Sequence, residues 1–357
     1  MKGSLRMIPV FDGHNDILFR ILQAPEKREA IWLTGEGKGH LDLPRMAQGG
    51  FAGGFFAIYM PSPHDPAADM DVLMNAPPYE VPLPAALPMA ACQAVAVELA
   101  SQFLWMERSS DGRFRHVRSV AEIEAARAAG AIAGIMHMEG AEAIDPACDA
   151  LYLWHAAGLR SLGPVWSRPT AFGHGVPFAF PSSPDTGPGL TEAGKRLVKV
   201  CNALKIMVDL SHLNLKGFED VAALSDAPLV ATHSNAHAVT PSSRNLTDRQ
   251  LDMIRETKGM VGLNFATGFL RPDGRRDPAM GWDAVLRHLD HLIGRLGEDH
   301  VGFGSDFDGA TVPDGIVDVA GLPRLIDAMR GHGYGEPLLR KLAWDNWLGV
   351  LRRTWGA

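Results

Sequence analysis

Cysteine is scarce in this sequence. Cys92, Cys148 and Cys201 are an odd, scattered set among 357 residues, with no CxxC pair. That argues against a disulfide framework and makes a reducing cytoplasm the simplest compartment. No uninterrupted apolar run reaches about 18 residues, so no membrane span is expected. Met1 to Val10 is too short and too polar for a signal peptide, and the end, Leu351–Ala357, lacks the apolar tail of a glycolipid anchor signal. Positive charge is not in excess. A net charge of −7 gives a nucleic-acid partner no electrostatic support. No GxGxxG follows the first strand-like run, which counts against a dinucleotide-binding fold. Internal repeats, low-complexity tails and runs of like charge are also missing.

Core-building material is ample: 46% of residues are hydrophobic and 21% charged, an ordinary globular balance. Length alone suggests ~2 domains, but an α/β barrel with insertions runs to roughly 400 residues. Buried parallel strands read as short apolar runs ending in Gly, Asp, Ser or His. Eight occur: Met7–Asp12, Phe51–Met60, Ala131–Met138, Leu159–Trp166, Ile206–Ser211, Pro228–Thr232, Met260–Phe265 and His300–Ser305. Pro164 sits awkwardly in the fourth. Helix candidates between them include Leu87–Trp105, Val120–Ala129, Thr191–Leu204, Thr247–Thr257 and Trp282–Leu296, with Ser119 and Thr247 as caps. Eight alternations predict one α/β domain over 1–357, a closed (β/α)8 TIM barrel. Two long strand-to-helix loops, Pro61–Pro88 and Arg168–Gly189, would lie on the side where barrels place active sites.

Ligand-type residues fall at the carboxyl ends of these runs. His14 and Asp16, which project the same way in an extended segment, follow the first. Glu139 ends the third, His212 the fifth, His233 the sixth and Asp306 the eighth. In a parallel barrel these ends meet at one mouth. Three carboxylates crowded there would repel and tend to protonate, a conflict that a pair of divalent cations removes; imidazole with carboxylate suits zinc. Two metals sharing a water would serve hydrolysis. Each residue also has a plainer role. His14-x-Asp16 could be a hydrogen-bonded turn, Glu139 a helix cap, and His212 and His233 satisfied core histidines. Asp306 could stabilise the turn into Gly309, and Asp308 competes with it for any catalytic role. The joint pattern favours metal.

The ordered set Asp12-Gly13-His14-Asn15-Asp16, Met138-Glu139-Gly140, Leu210-Ser211-His212, Thr232-His233-Ser234-Asn235-Ala236, Ser243-Arg244-Asn245 and Gly304-Ser305-Asp306-Phe307-Asp308-Gly309 resembles the renal-type (membrane) dipeptidase family, binuclear zinc peptidases related to the amidohydrolases. The resemblance spans nearly the whole chain. It implies that His14 and Asp16 bind one Zn2+, that Glu139 bridges, and that His212 and His233 bind the second. It further implies that Asp306 transfers protons and that Arg244 clamps the substrate's free carboxylate, for which a bidentate, permanently charged fork is well matched. The implied reaction is hydrolysis of a dipeptide amide by a metal-bridging hydroxide, with a D-residue tolerated on the C-terminal side. A homodimer is compatible with the resemblance, though no interface stripe marks one.

One departure stands out. Where the family carries a substrate-binding His after the fourth strand, this chain has Trp166, so His174 or Arg168 in the same loop becomes the expected replacement donor. His137 shares the face of Glu139 and reads as a histidine one layer below the metals, and His237 as a loop residue. A related barrel hydrolase acting on a cyclic amide, lactone or phosphoester would need no carboxylate clamp. A non-catalytic binding protein would have had no reason to keep the whole set.

Overall fold

The structure, a computed structural model, describes residues 7–63, 65 and 69–356. Met1–Arg6, His64, Pro66–Ala68 and Ala357 lie outside the described residues, and with them most of the stretch weighed as a leader.

Every one of the eight apolar runs overlaps a strand: β1 Val10–Asn15, β2 Phe51–Tyr59, β3 Ile132–Glu139, β4 Leu159–Leu162, β5 Met207–Val208, β6 Val230–Ala231, β7 Met260–Asn264 and β8 Val301–Gly304. All pair in parallel in the order β5-β4-β3-β2-β1-β8-β7-β6. The ring closes between β5 and β6 through one parallel bridge, Asp209 to Val230, where the Leu210 N–H donates to the Val230 carbonyl at 2.8 Å. The architecture is the expected α/β barrel.

The boundaries depart from expectation: β5 and β6 are only two residues each, and two further departures bear on the site. β1 begins and ends three residues later than Met7–Asp12, which puts His14 inside the strand. β4 stops at Leu162, before Pro164, because proline has no N–H to continue a ladder. A further short strand, Phe114–His116, pairs with β3. Helices cover all five expected segments, and Ser119 and Thr247 cap theirs, Thr247 in a reciprocal box with Gln250. Helices Leu215–Leu224, Leu322–His332 and Asn346–Trp355 add to those anticipated.

The expectation that no segment qualifies as a membrane span meets one exception. Helix Met89–Ser109 is long and apolar enough by length and composition. One face, including Leu99, Phe103 and Met106, is buried in the protein's own core.

Below the carboxyl ends of the strands the barrel is filled by aromatic side chains. Phe11 and Phe55 meet edge-to-face at 5.7 Å, and Trp347 from the last helix packs on Phe55 at 5.3 Å. Its indole N–H donates to the Phe303 carbonyl at 3.0 Å. Gly13 makes this fit possible, since a Cβ there would lie 2.3 Å from the Thr232 carbonyl oxygen and 2.6 Å from the Trp347 ring.

At the opposite end the two long loops are not independent. Tyr79–Glu80 pairs antiparallel with Ala179–Phe180, and the Tyr79 and Phe180 rings stack. The Tyr79 hydroxyl donates to the Gly274 carbonyl at 2.8 Å, and the Ser243 N–H to that of Ala179 at 3.1 Å. A small apolar core of Met74, Tyr79, Val81, Phe178, Phe180 and Phe269 forms under this cover.

Candidate metal centre and active site

The residues singled out at the strand ends converge. Glu139, at the last position of β3, points one carboxylate oxygen each way. Its Oε1 lies 3.1 Å from His212 Nε2 and 3.4 Å from His233 Nε2, while its Oε2 lies 3.6 Å from His14 Nε2. His14 Nε2 is also 3.4 Å from Asp16 Oδ2. The Nε2 atoms of His212 and His233 are 3.0 Å apart. Tetrahedral shells with ligand bonds near 2.0–2.1 Å put donor atoms about 3.4 Å from one another. The spacing therefore suits two cations, one on each side of Glu139.

The chemistry of the donors points the same way. Both ring nitrogens of His14 are buried without a hydrogen-bond partner, which is costly unless something else satisfies them. Burial alone would keep the His14 imidazole neutral, but the Glu139 and Asp16 carboxylates beside it overcome that and lift its pKa to about 10. Burial pushes the Glu139 and Asp16 carboxyls upward. The site thus demands positive charge. His212 and His233 are held well below the usual imidazole range by burial, reinforced by Arg244 and His14 respectively, and so are neutral. The donors fit a pair of divalent cations.

Asp306 stands at the rim of the same cluster, within ligand range of His14 and Asp16. Its Oδ2 accepts from the Asn264 side-chain amide at 2.9 Å, and its N–H donates to the His14 carbonyl. Asp306 and His212 both adopt positive φ, +60° and +66°, backbone states that non-glycine residues take up at functional sites. Gly309 must be glycine here, because a Cβ would stand 2.1 Å from Asp16 Oδ2 and 2.6 Å from Asp306 Oδ1. Asp308, which competes with Asp306, also lines the cavity but has other partners. Its carboxylate receives Arg20 at 3.1 Å and the His40 backbone N–H, which occupies it with holding the loop.

Above the cluster opens a cavity of about 500 Å³, walled by Phe19, Tyr59, Val81, Trp166, Phe178 and Phe269 and floored by Asp16, Glu139, His212 and Asp306. Trp166 lies 5.2 Å from Tyr59, 5.6 Å from Phe178 and 5.8 Å from the His212 ring. Arg244 is buried, and burial lowers its pKa to about 10, still charged at neutral pH. It donates to the His233 carbonyl at 3.3 Å, but its Nε finds no partner, and its guanidinium lies over Phe269, a wall of the cavity.

Two expectations need correction. Arg168, His174 and Arg244 are all absent from the residues lining the cavity, so it is the partners of each side chain that separate them. Arg168 is fully buried, and its guanidinium is spent on Glu142 Oε1 at 2.6 Å, on Ser62 Oγ at 2.6 Å and on the Met60 carbonyl. A buried charge needs such partners, and it supports Trp166 from behind, 5.0 Å from the ring centroid. His174 contributes its backbone carbonyl to the Asn214 N–H. His137 lies under the site, its ring 5.4 Å from that of His14, and His237 Nε2 donates to the Ser182 carbonyl on the loop at 2.8 Å.

Several residues that shape the site carried no assignment from sequence. Ser167 meets His212 Nδ1 at 2.8 Å, Thr232 meets His233 Nδ1 at 2.8 Å, and Asn264 holds Asp306. Asn264 ends the seventh strand, so the rule that found the other strand-end residues could have reached it. Thr232 ends the sixth apolar run and was within that rule's reach too, whereas Ser167 has no such signal.

A parallel barrel with a histidine–carboxylate cluster split by one glutamate defines a metal-dependent hydrolase. Comparison with known proteins narrows this. The profile of the membrane dipeptidase family, peptidase family M19, matches residues 2–355. The crystal structure of a metallopeptidase from Rhodobacter sphaeroides, liganded with a phosphinate mimic of the dipeptide L-Ala-D-Ala, is 69% identical. It superposes with a TM-score of 0.97, covering 98% of this chain and 100% of the other. The dipeptidase verJ of Clonostachys rogersoniana is 29% identical over 349 residues, 96% of this chain and 84% of that protein. An uncharacterized protein of Klebsiella pneumoniae is 53% identical over 246 residues, 69% of this chain and 91% of its own length. The chain belongs to the membrane dipeptidase family and is a metallopeptidase.

Proposed function

We infer that this protein is a zinc dipeptidase that holds two Zn2+ ions and cleaves the amide bond of L-Xaa-L-Xaa and L-Xaa-D-Xaa dipeptides. The division of Glu139 between His212/His233 and His14 carries the reading, because a single carboxylate facing two imidazole groups is what a bridging ligand requires. His14 and Asp16 complete one site, His212 and His233 the other. When bound, the pair of ions would lower the pKa of a shared water and polarise the scissile carbonyl.

The chain's own residues supply the rest. Asp306, steadied by the Asn264 amide, accepts the proton of the attacking water on its carboxylate and returns it to the leaving amine nitrogen. Arg244, buried with an open donor, binds the terminal carboxylate. Trp166 and the aromatic wall exclude water and receive side chains, in the place where the family carries a histidine. The L-Ala-D-Ala mimic bound by the Rhodobacter sphaeroides structure supports tolerance of a D-residue, because gripping the carboxylate and carbonyl leaves the second side chain little constrained.

The test is a panel of L,L and L,D dipeptides with zinc-reconstituted protein and a metal analysis. About two equivalents of zinc and turnover of both series are expected. Asp306→Asn should keep both ions and lose roughly 10²–10⁴-fold in kcat. Zinc loss with rate restored by added metal would make Asp306 a ligand instead.

A further inference from the structure

Behind His233 stands a chain of hydrogen bonds that carried no assignment from sequence. His233 Nδ1 lies 2.8 Å from Thr232 Oγ1, and Thr232 Oγ1 lies 2.6 Å from Asp209 Oδ2. The other carboxylate oxygen, Oδ1, receives the backbone N–H groups of Thr232 at 2.9 Å and Ser211 at 3.0 Å. All three side chains are buried. Asp209 also forms the bridge that closes the barrel, so its place is set by the fold itself. Its Oδ2 lies 3.6 Å from His137 Nε2.

With Asp209 as the carboxylate that receives the Thr232 hydroxyl, the proton inventory has one solution. An ionised carboxylate only accepts, and a threonine hydroxyl has a single proton. That proton goes to Asp209. The hydroxyl oxygen must then accept from His233, so His233 carries its proton on Nδ1 and presents a lone pair at Nε2, the atom facing Glu139. His212 has only the Ser167 hydroxyl at its Nδ1, with no carboxylate bonded behind it among the described residues. The ring nitrogens of His14 have no hydrogen-bond partner.

We propose that Asp209, acting through the Thr232 hydroxyl, is the positioning residue that fixes the tautomer of His233 for metal ligation. This rests on the reading of the site as a two-zinc centre. Hydrogen-bonded partners behind metal-ligating histidines typically account for 10–100-fold in affinity. The proposal makes a prediction that a merely structural role does not. In Asp209→Asn the two backbone N–H groups keep the amide oxygen on their side and turn the NH2 toward Thr232. The hydroxyl then accepts from the amide and its proton is free to turn to His233 Nδ1, which favours the proton on Nε2 and opposes ligation. A nearly isosteric change should therefore hurt more than deleting the hydroxyl.

Chelator competition on the full-length protein measures both zinc affinities. Two bound equivalents in the wild type test the two-zinc reading; if they are missing, that reading fails, not this one. Thr232→Val should weaken one zinc about 10–100-fold and leave the other unchanged. Thr232→Ser, which keeps the hydroxyl, should stay within about threefold of wild type. Asp209→Asn should lose more than Thr232→Val, and the double variant should return to the Thr232→Val level because no hydroxyl is left to reverse. Wild-type affinity in Asp209→Asn, a loss in Thr232→Ser equal to that in Thr232→Val, or additive losses in the double variant would overturn the proposal.

Discussion

Arg244 and Arg168 are both buried arginines near one cavity, yet their surroundings give them opposite uses. Arg168 spends its donors on Glu142, Ser62 and a carbonyl. Arg244 keeps its Nε unpaired beside the histidines. An unfilled guanidinium in a dry site is a standing demand for an anion. Arg244→Met, which keeps the buried stem and removes the charge, should raise KM for dipeptides by about 10²-fold or more, the order expected when a charged hydrogen bond to substrate is lost. Capping the dipeptide's carboxylate as an amide should weaken the wild type similarly and leave the variant unaffected. An unchanged KM would favour a substrate without a carboxylate. The strand-end rule located the converging residues from sequence because in a parallel barrel position along a strand decides which mouth a side chain reaches. It could not tell Arg168 from a pocket residue. In a loop, sequence order does not set direction, and only the position of Glu142 reveals where that guanidinium turns.

Strands and their helices were legible from apolar runs and caps because burial on both faces leaves a compositional mark. The loops were legible as insertions but not as a unit. Nothing in Pro61–Pro88 or Arg168–Gly189 shows that Tyr79–Glu80 and Ala179–Phe180 pair, since two-residue ladders between distant segments leave no period. Arg168 is the point where three elements join: the end of β2 at Met60 and Ser62, the turn after β3 at Glu142, and its own loop. Arg168→Met should strand the Glu142 carboxylate and cost about 3–5 kcal/mol, read as a lower urea midpoint. Adding Glu142→Gln should restore most of that loss. A single variant within 1 kcal/mol of wild type, by the scale of exposed pairs, would show that the joint does not hold these loops.

For the whole molecule, several of the barrel's buried histidines, His14 excepted, are held neutral by burial. Away from the metal cluster this is clearest at His288, on helix Trp282–Leu296, where burial drives the pKa down to about 3. The geometry explains why. Its Nδ1 accepts the Ala236 backbone N–H at 3.1 Å, so that nitrogen has no room for a proton, and its Nε2 meets the Leu270 carbonyl and the Thr240 hydroxyl, each at 3.2 Å. The unfolded chain protonates this imidazole near pH 6.5 and the folded chain only near 3, so within that window the unfolded state binds the extra proton. Stability contributed by neutral His288 is therefore complete above pH 6.5 and drains as the pH falls, at up to about 1.4 kcal/mol per pH unit. His288→Gln should lower stability at pH 8, where the well-fitted ring is lost. It should also flatten the decline between pH 6 and 4 relative to wild type, measured as urea midpoints under identical metal conditions. Parallel curves for the two proteins would place the acid sensitivity in other groups and leave His288 as packing alone.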